Sequence, residues 1–290
     1  MWWYSFVPSL LTTLIGILYL LYQFFAFKHS ELFDPHGKSF LTQVISATFN
    51  FLNRHDDLWV PAILAVSFIL TLYALLHTLS QGALIQSIAK KKEEREISIA
   101  QGISLGMLSF LPLLEYHLLV KTFSIISLFT EAAFMLRNLG PDAMTTFLPV
   151  FFLAMIIGLI LTLLFTYSEF FIVLKKTPVL AAIGHSAKLV VMSWQHTFLM
   201  AILMLIIGIR IIVNIVFVLL VPALLFFSAG LLATVTFTSI GMGIGIVVSL
   251  AGLFIASYFT GILNVFANTV WTYTFLELMD EKMTMEAMGE

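Results

Sequence analysis

The sequence has no cysteine, which excludes disulfides, thiolate metal centres and thiol catalysis and leaves the redox compartment open. Charge is almost as scarce. Asp, Glu, Lys and Arg together make up 10% of the 290 residues, where soluble domains carry about 25%. A net charge of −2 provides no basic surface for a nucleic acid. The first residues, MWWYSFVPSLL, lack the basic leader and small-residue cleavage site of a secretory signal. A phosphate-binding loop is missing too: FDPHGKS at 33–39 ends like one, but Leu32 stands where the motif needs glycine.

What is present is apolar. Hydrophobic residues make up 60% of the chain, and stretches of the roughly 20 residues that cross a hydrocarbon core as a helix recur along it. The composition predicts an all-α integral membrane protein, one transmembrane domain over 1–290. Six spans are expected, at about 6–27, 58–88, 111–136, 146–174, 194–216 and 243–275. Trp2, Trp3 and Tyr4 suit a membrane–water interface. The outer loop 28–57 holds a segment, 39–53, whose apolar residues (Phe40, Leu41, Val44, Ile45, Phe49, Leu52) recur at helical spacing, as in an interfacial amphipathic helix. RNLGPD at 137–142 reads as a tight turn. Pro222, SAG at 228–230 and GMGIG at 241–245 are expected to break the long apolar stretch before the last span. That stretch leaves a re-entrant segment near 217–240, or else a seventh span.

Seven consecutive charges, Lys90 to Glu96, interrupt this chain. Positive residues of short loops stay on the cytoplasmic side. With six spans, Lys90, Lys91, Lys92, Arg95, Lys175, Lys176, Lys188 and Lys282 share one side, and Lys28, Lys38, Arg54 and Arg137 the other. The bias predicts a plasma-membrane protein with both termini and the 90–96 loop in the cytoplasm. After each basic loop comes a similar segment, overlaid with Ala100/Ala182, Gly102/Gly184 and Ser104/Ser186 in register. Each reads as a short cytoplasmic interfacial helix, with a polar face of Ser98, Gln101 and Ser104 in one and of His185, Ser186 and Lys188 in the other. Residues 58–136 and 146–216 then form two parallel hairpin repeats about an axis near the membrane normal.

This order ends in NTVWTYTFLELMDE, with Tyr273, Phe275, Leu276, Glu277 and Leu278 as an aromatic–Leu–acidic close. It resembles the six-helix bacterial membrane proteins grouped with the membrane domain of glycerophosphoryl diester phosphodiesterases and with YciC-like families. The resemblance covers roughly 60–280. It implies a fold without a settled activity, since the catalytic barrel of some members has no counterpart here.

Ionisable residues inside spans are costly and are functional candidates by default. Glu169, His196, Glu115 and His117 read as interfacial from their nearness to Lys175, Trp194 and Pro112. Arg210, about 24 Å along a helix from Trp194, reads as deep, with Asn214 on its face and Glu131 as its ion-pair partner. The last span carries a polar face of Ser257, Gly261, Asn264, Asn268 and Thr272, and the second span one of Tyr73, His77 and Gln81; facing each other, these could line a polar path. Gly102-x-x-x-Gly106 and Gly241-x-x-x-Gly245 permit close helix contact. His29, His36 and Asp56 are the leading metal-ligand candidates of the outer loop, without a recognised spacing. No catalytic constellation and no cofactor motif emerges. The sequence therefore favours a non-catalytic scaffold, subunit or factor for lipids or other membrane proteins over a transporter.

Overall fold

A computed structural model describes residues 2–28, 40–95, 98–121, 125–210 and 238–288. Among them there are only helices and short turns. In chain order the helices are α1 (Trp2–Lys28), α2 (Phe40–Arg54), α3 (Trp59–Lys92), α4 (Ile99–Leu108), α5 (Phe110–Lys121), α6 (Ile125–Leu164), α7 (Ser168–Lys175), α8 (Val179–Met192), α9 (Trp194–Arg210) and α10 (Thr238–Met288). A 3₁₀ turn, Asp56–Leu58, joins α2 to α3. Three stretches are long and apolar enough to cross a membrane: Trp59–Lys92, Thr145–Lys175 and Leu250–Glu281. Two bent pairs raise the number to five if each is one span, α4 with α5 (60°) and α8 with α9 (97°). These helices mark a membrane protein.

Two breaks expected from glycine and proline do not occur. Residues 137–142 continue the helix of α6, and 241–245 lie within α10. Glycine and proline cost a helix about 1 and 3 kcal/mol relative to alanine, but in apolar surroundings a broken helix leaves backbone groups with no water to satisfy them. Arg137, expected in the turn, is instead helical and 6% exposed, with its guanidinium 5.8 Å from the Phe134 ring centre. The re-entrant segment expected near 217–240 lies almost wholly outside the described residues.

α3 ends where its charge begins. Lys90, Lys91 and Lys92 fill its last turn, where cations favour the negative end of the helix dipole. The chain then turns through Glu94 at φ 59°. The Glu94 N–H donates to Lys91 C=O and the Arg95 N–H to Lys90 C=O, the two bonds of a Schellman cap. Ser98 and Gln101, expected as a polar face, form the capping box that starts α4, side chain to backbone in both directions.

The face α4 buries is its glycine face. A Cβ on Gly106 would lie 2.7 Å from the Leu79 carbonyl oxygen and 2.9 Å from the Ala83 nitrogen, and one on Gly82 would lie 3.4 Å from the Gly106 Cα. Gly102 is covered by the ring of Tyr4, whose hydroxyl donates to the Ile99 carbonyl at 2.9 Å. Tyr4 is therefore buried against α4, while Trp3 stays exposed. Gly184, the position overlaid on Gly102, is exposed, with no atom within 4 Å of a notional Cβ.

Most of the buried hydrophobic side chains belong to one cluster, formed by α3, α5, α7, α8 and the end of α10, with Phe275 and Tyr167 at its centre. Phe275 and Leu278 of the closing pattern are buried; Tyr273 and Glu277 are exposed. Lys92 reaches Asp280 at 3.8 Å. Tyr4, the end of α3 and the end of α10 thus meet at the same end of the bundle as the basic turn. By contrast, Val60, Ile63, Leu64 and Phe68 of α3 and Phe152, Leu153 and Ile160 of α6 are exposed, as lipid-facing positions should be.

The span Thr145–Lys175 is broken at 165–167. Backbone groups released there are taken up by neighbours. Ser186 Oγ accepts from the Tyr167 N–H at 3.0 Å and donates to the Leu164 carbonyl at 2.6 Å, and the Tyr116 hydroxyl donates to the Phe165 carbonyl at 3.1 Å. An unpaired buried donor or acceptor costs about 1–3 kcal/mol. Ser186→Ala, which removes the hydroxyl without adding volume, is expected to lower the melting temperature in detergent by several degrees. The same substitution at an exposed position, Ser104→Ala, should not lower it.

Candidate functional site

Polar side chains gather where α3, α5 and α7 face one another. Tyr73, His77 and Gln81 follow at steps of four and so share a face of α3. The ring centre of His77 lies 6.4 Å from that of Tyr73 and 5.9 Å from that of His117 on α5. Glu169, in the first turn of α7, is the hub. One of its oxygens accepts from Gln81 Nε2, and the other lies 3.0 Å from His117 Nε2. The two side chains of that pair are 24% (His117) and 21% (Glu169) exposed.

This arrangement constrains the imidazole. A carboxylate neighbour requires a proton on Nε2, and His117 Nδ1 is buried without a partner. In the neutral tautomer that nitrogen carries a lone pair rather than a stranded N–H. The cluster therefore pairs one carboxylate with one imidazole, a combination able to pass a proton or to hold the two helices together. Both carboxylate oxygens are already engaged. Among the described residues, no group of three or more His, Asp or Glu side chains could hold a metal ion.

The residues singled out from the sequence fare differently. His77 belongs to the cluster. Arg210 and Glu131 are both exposed, and no ion pair joins them. The count along α9 gave Arg210 a depth but not a neighbour. Asn214, His29 and His36 lie outside the described residues; Asp56 opens the 3₁₀ turn.

Among the described residues, Asn268, Thr272 and Ser257 of the last span's polar face bond within α10 rather than to the face of α3. Asn268 Nδ2 donates to the Asn264 carbonyl at 2.9 Å and to its Oδ1 at 2.8 Å. Thr272 donates to the Asn268 carbonyl at 2.6 Å and Ser257 to the Leu253 carbonyl at 2.7 Å. Gly261 approaches the Phe6 backbone of α1, with 3.4 Å from its notional Cβ to the Phe6 Cα. This face is packing surface. Gln81 turns to Glu169 instead.

Glu169 and His117 are the residues that sequence reading missed, having placed both at headgroup level. They are separated by 52 residues, and neither stands in a motif.

No family model, curated protein or solved structure matches this chain. The functional reading therefore rests on the geometry.

Proposed function

We propose that this chain is a non-catalytic multi-pass protein of the plasma membrane that serves as a scaffold or factor for lipids or other membrane proteins. The observation that carries the reading is the division of the molecule. Its packed core and the lysines Lys90, Lys91, Lys92, Lys175, Lys176 and Lys188 gather at one end, while the spans present apolar sides suited to lipid. A protein built this way offers a structured, charged surface at the membrane face. The positive-inside rule, applied to Lys90, Lys91, Lys92, Lys175, Lys176 and Lys188, supports a cytoplasmic position for that face and, with six spans, for both termini.

Six spans arranged as two parallel hairpins belong to the same proposal, in a register shifted by two residues from the sequence overlay. Ser98 and Pro178 precede the short helices α4 and α8 at a spacing of 80. At that spacing the buried residues Gly102, Gly106 and Ser109 correspond to the buried Ala182, Ser186 and Leu189. Left-handed residues, Glu94 and Lys176, end the preceding helix in both halves. The likeness to the six-helix bacterial membrane families fits this order and supplies no activity.

A second reading, transport, draws on the His77–His117–Glu169–Gln81 cluster between spans. It moves the polar path from the second and last spans to α3, α5 and α7.

The absence of cysteine makes the test clean. A single cysteine at Glu94 is expected to resist a membrane-impermeant thiol reagent in intact cells, and one at Lys38 to react. The reverse order would overturn the topology and with it the cytoplasmic working face. Purified protein in sealed liposomes is expected to pass no protons or small cations. A flux abolished by Glu169→Gln would establish the transport reading instead.

A further inference from the structure

At the basic end, where the span Thr145–Lys175 stops, α7, α8 and α10 flank a half-open cavity of about 270 Å³. Its polar lining is Lys175, Thr177, His185 and Lys188, and among the described residues no acidic side chain takes part. Asp280, next to the lining residue Met279, is turned to Lys92 at 3.8 Å. Thr177 carries a buried hydroxyl with no hydrogen-bond partner. A buried hydroxyl without a partner is costly, and rotation of the Thr177 side chain, which lines the cavity, would let it donate to an anionic oxygen there.

The remaining lining is apolar. Phe171 and Leu189 are buried core residues, and Met279 stands beside them. Phe171 also lies against His185, the two rings tilted and their centres 5.6 Å apart. The cavity wall is therefore mostly apolar, with the side chains of Lys175 and Lys188 along it, at the end of a stretch long and apolar enough to span a membrane. Its volume is near the lower limit of about 300 Å³ for small-molecule pockets, which suits a headgroup better than a large solute.

We propose that this cavity binds a phosphate ester, the phosphodiester headgroup of an anionic phospholipid. Lys175 and Lys188 pair with the phosphate, Thr177 donates to one of its oxygens, and Phe171, Leu189 and Met279 take the start of an acyl chain. The apolar wall and the position at a span end favour the lipid over a free phosphate, which needs neither. This inference deepens the lipid-factor reading above. Its failure would show as loss of lipid preference, whereas failure of that reading would show as flux or inverted topology.

The test uses the full chain, purified in detergent and offered equal amounts of phosphatidylglycerol and phosphatidylcholine, with bound lipid counted by native mass spectrometry. Retention of phosphatidylglycerol over phosphatidylcholine is expected. Lys175→Ala with Lys188→Ala should weaken it on the order of 30-fold, the equivalent of about 1 kcal/mol for each lysine at an anionic surface. Thr177→Val should weaken it several-fold while leaving the charge unchanged, so it still reports if the double variant folds poorly. Lys90→Ala with Lys91→Ala, an equal loss of charge outside the cavity, should leave it within about twofold. Equal effects of the two lysine pairs would reduce the binding to general surface charge and overturn the site. Displacement of the lipid by millimolar glycerol phosphate or inorganic phosphate would overturn the lipid as ligand and leave a soluble phosphate in its place.

Discussion

Gly106→Ala is expected to destabilise the protein more than alanine at Gly82, Gly102 or Gly184, and Gly106→Val to prevent recovery of a monodisperse protein. The reason lies in what the added atoms would meet. A Cβ at 106 would stand 2.7 Å from the Leu79 carbonyl oxygen and 2.9 Å from the Ala83 nitrogen, both backbone atoms of α3. Neither can rotate away, so α3 and α4 must separate, and with them the contact at Gly82. Overpacking a well-filled site costs about 1–3 kcal/mol where side chains can adjust, and more is expected where they cannot. Total stabilities are only about 5–15 kcal/mol. At Gly102 the obstacle is the end of the Tyr4 side chain, so Gly102→Ala should be milder and should be partly rescued by Tyr4→Ala. Gly184→Ala meets nothing and should hold or raise the melting temperature, since alanine favours a helix by about 1 kcal/mol over glycine. Thermal unfolding of these alanine variants in one detergent checks the order 106, 102, 184. Equal tolerance at 106 and 184 would mean that α4 does not pack on α3 through its glycines.

Glu169→Leu is expected to have the second largest effect. It removes the acceptor of two side chains at once, Gln81 and His117, in a half-buried setting. Hydrogen bonds to charged groups are worth about 1.5–3 kcal/mol each, so the loss should be about 3 kcal/mol or more. Glu169→Gln should be much milder, because an amide still offers an oxygen to one neighbour and Gln81 can rotate to accept from its nitrogen. If the contact is mutual, Glu169→Leu combined with His117→Leu should cost less than the sum of the single changes, with a coupling of about 0.5–3 kcal/mol. Strict additivity would show that the two residues are only adjacent.

The sequence by itself determined the class of the protein and the location of most helices, because hydropathy and capping act over a few residues. Apolar runs at 6–27 and 146–174 lie within α1 and the stretch Thr145–Lys175, the run at 58–88 matches α3 apart from its first residue, and the helical spacing of 39–53 matches α2. Ser98 and Gln101 announced a helix start, although their role as a capping box was read as a polar face. Punctuation by glycine and proline misled at 137–142 and 241–245. Those residues end helices where water can take over the freed backbone groups, and apolar surroundings withdraw that alternative. The tertiary structure alone decided which polar faces meet. Gln81 and Glu169 are 88 residues apart, and their contact exists only because α7 lies against α3. Arg210 shows the converse: depth along a helix follows from counting residues, whereas a partner depends on the rotation and neighbours of that helix, which no local pattern records. The same holds for the cavity between α7, α8 and α10, whose two lysines are 13 residues apart and share a site because a left-handed Lys176 turns the chain back between them.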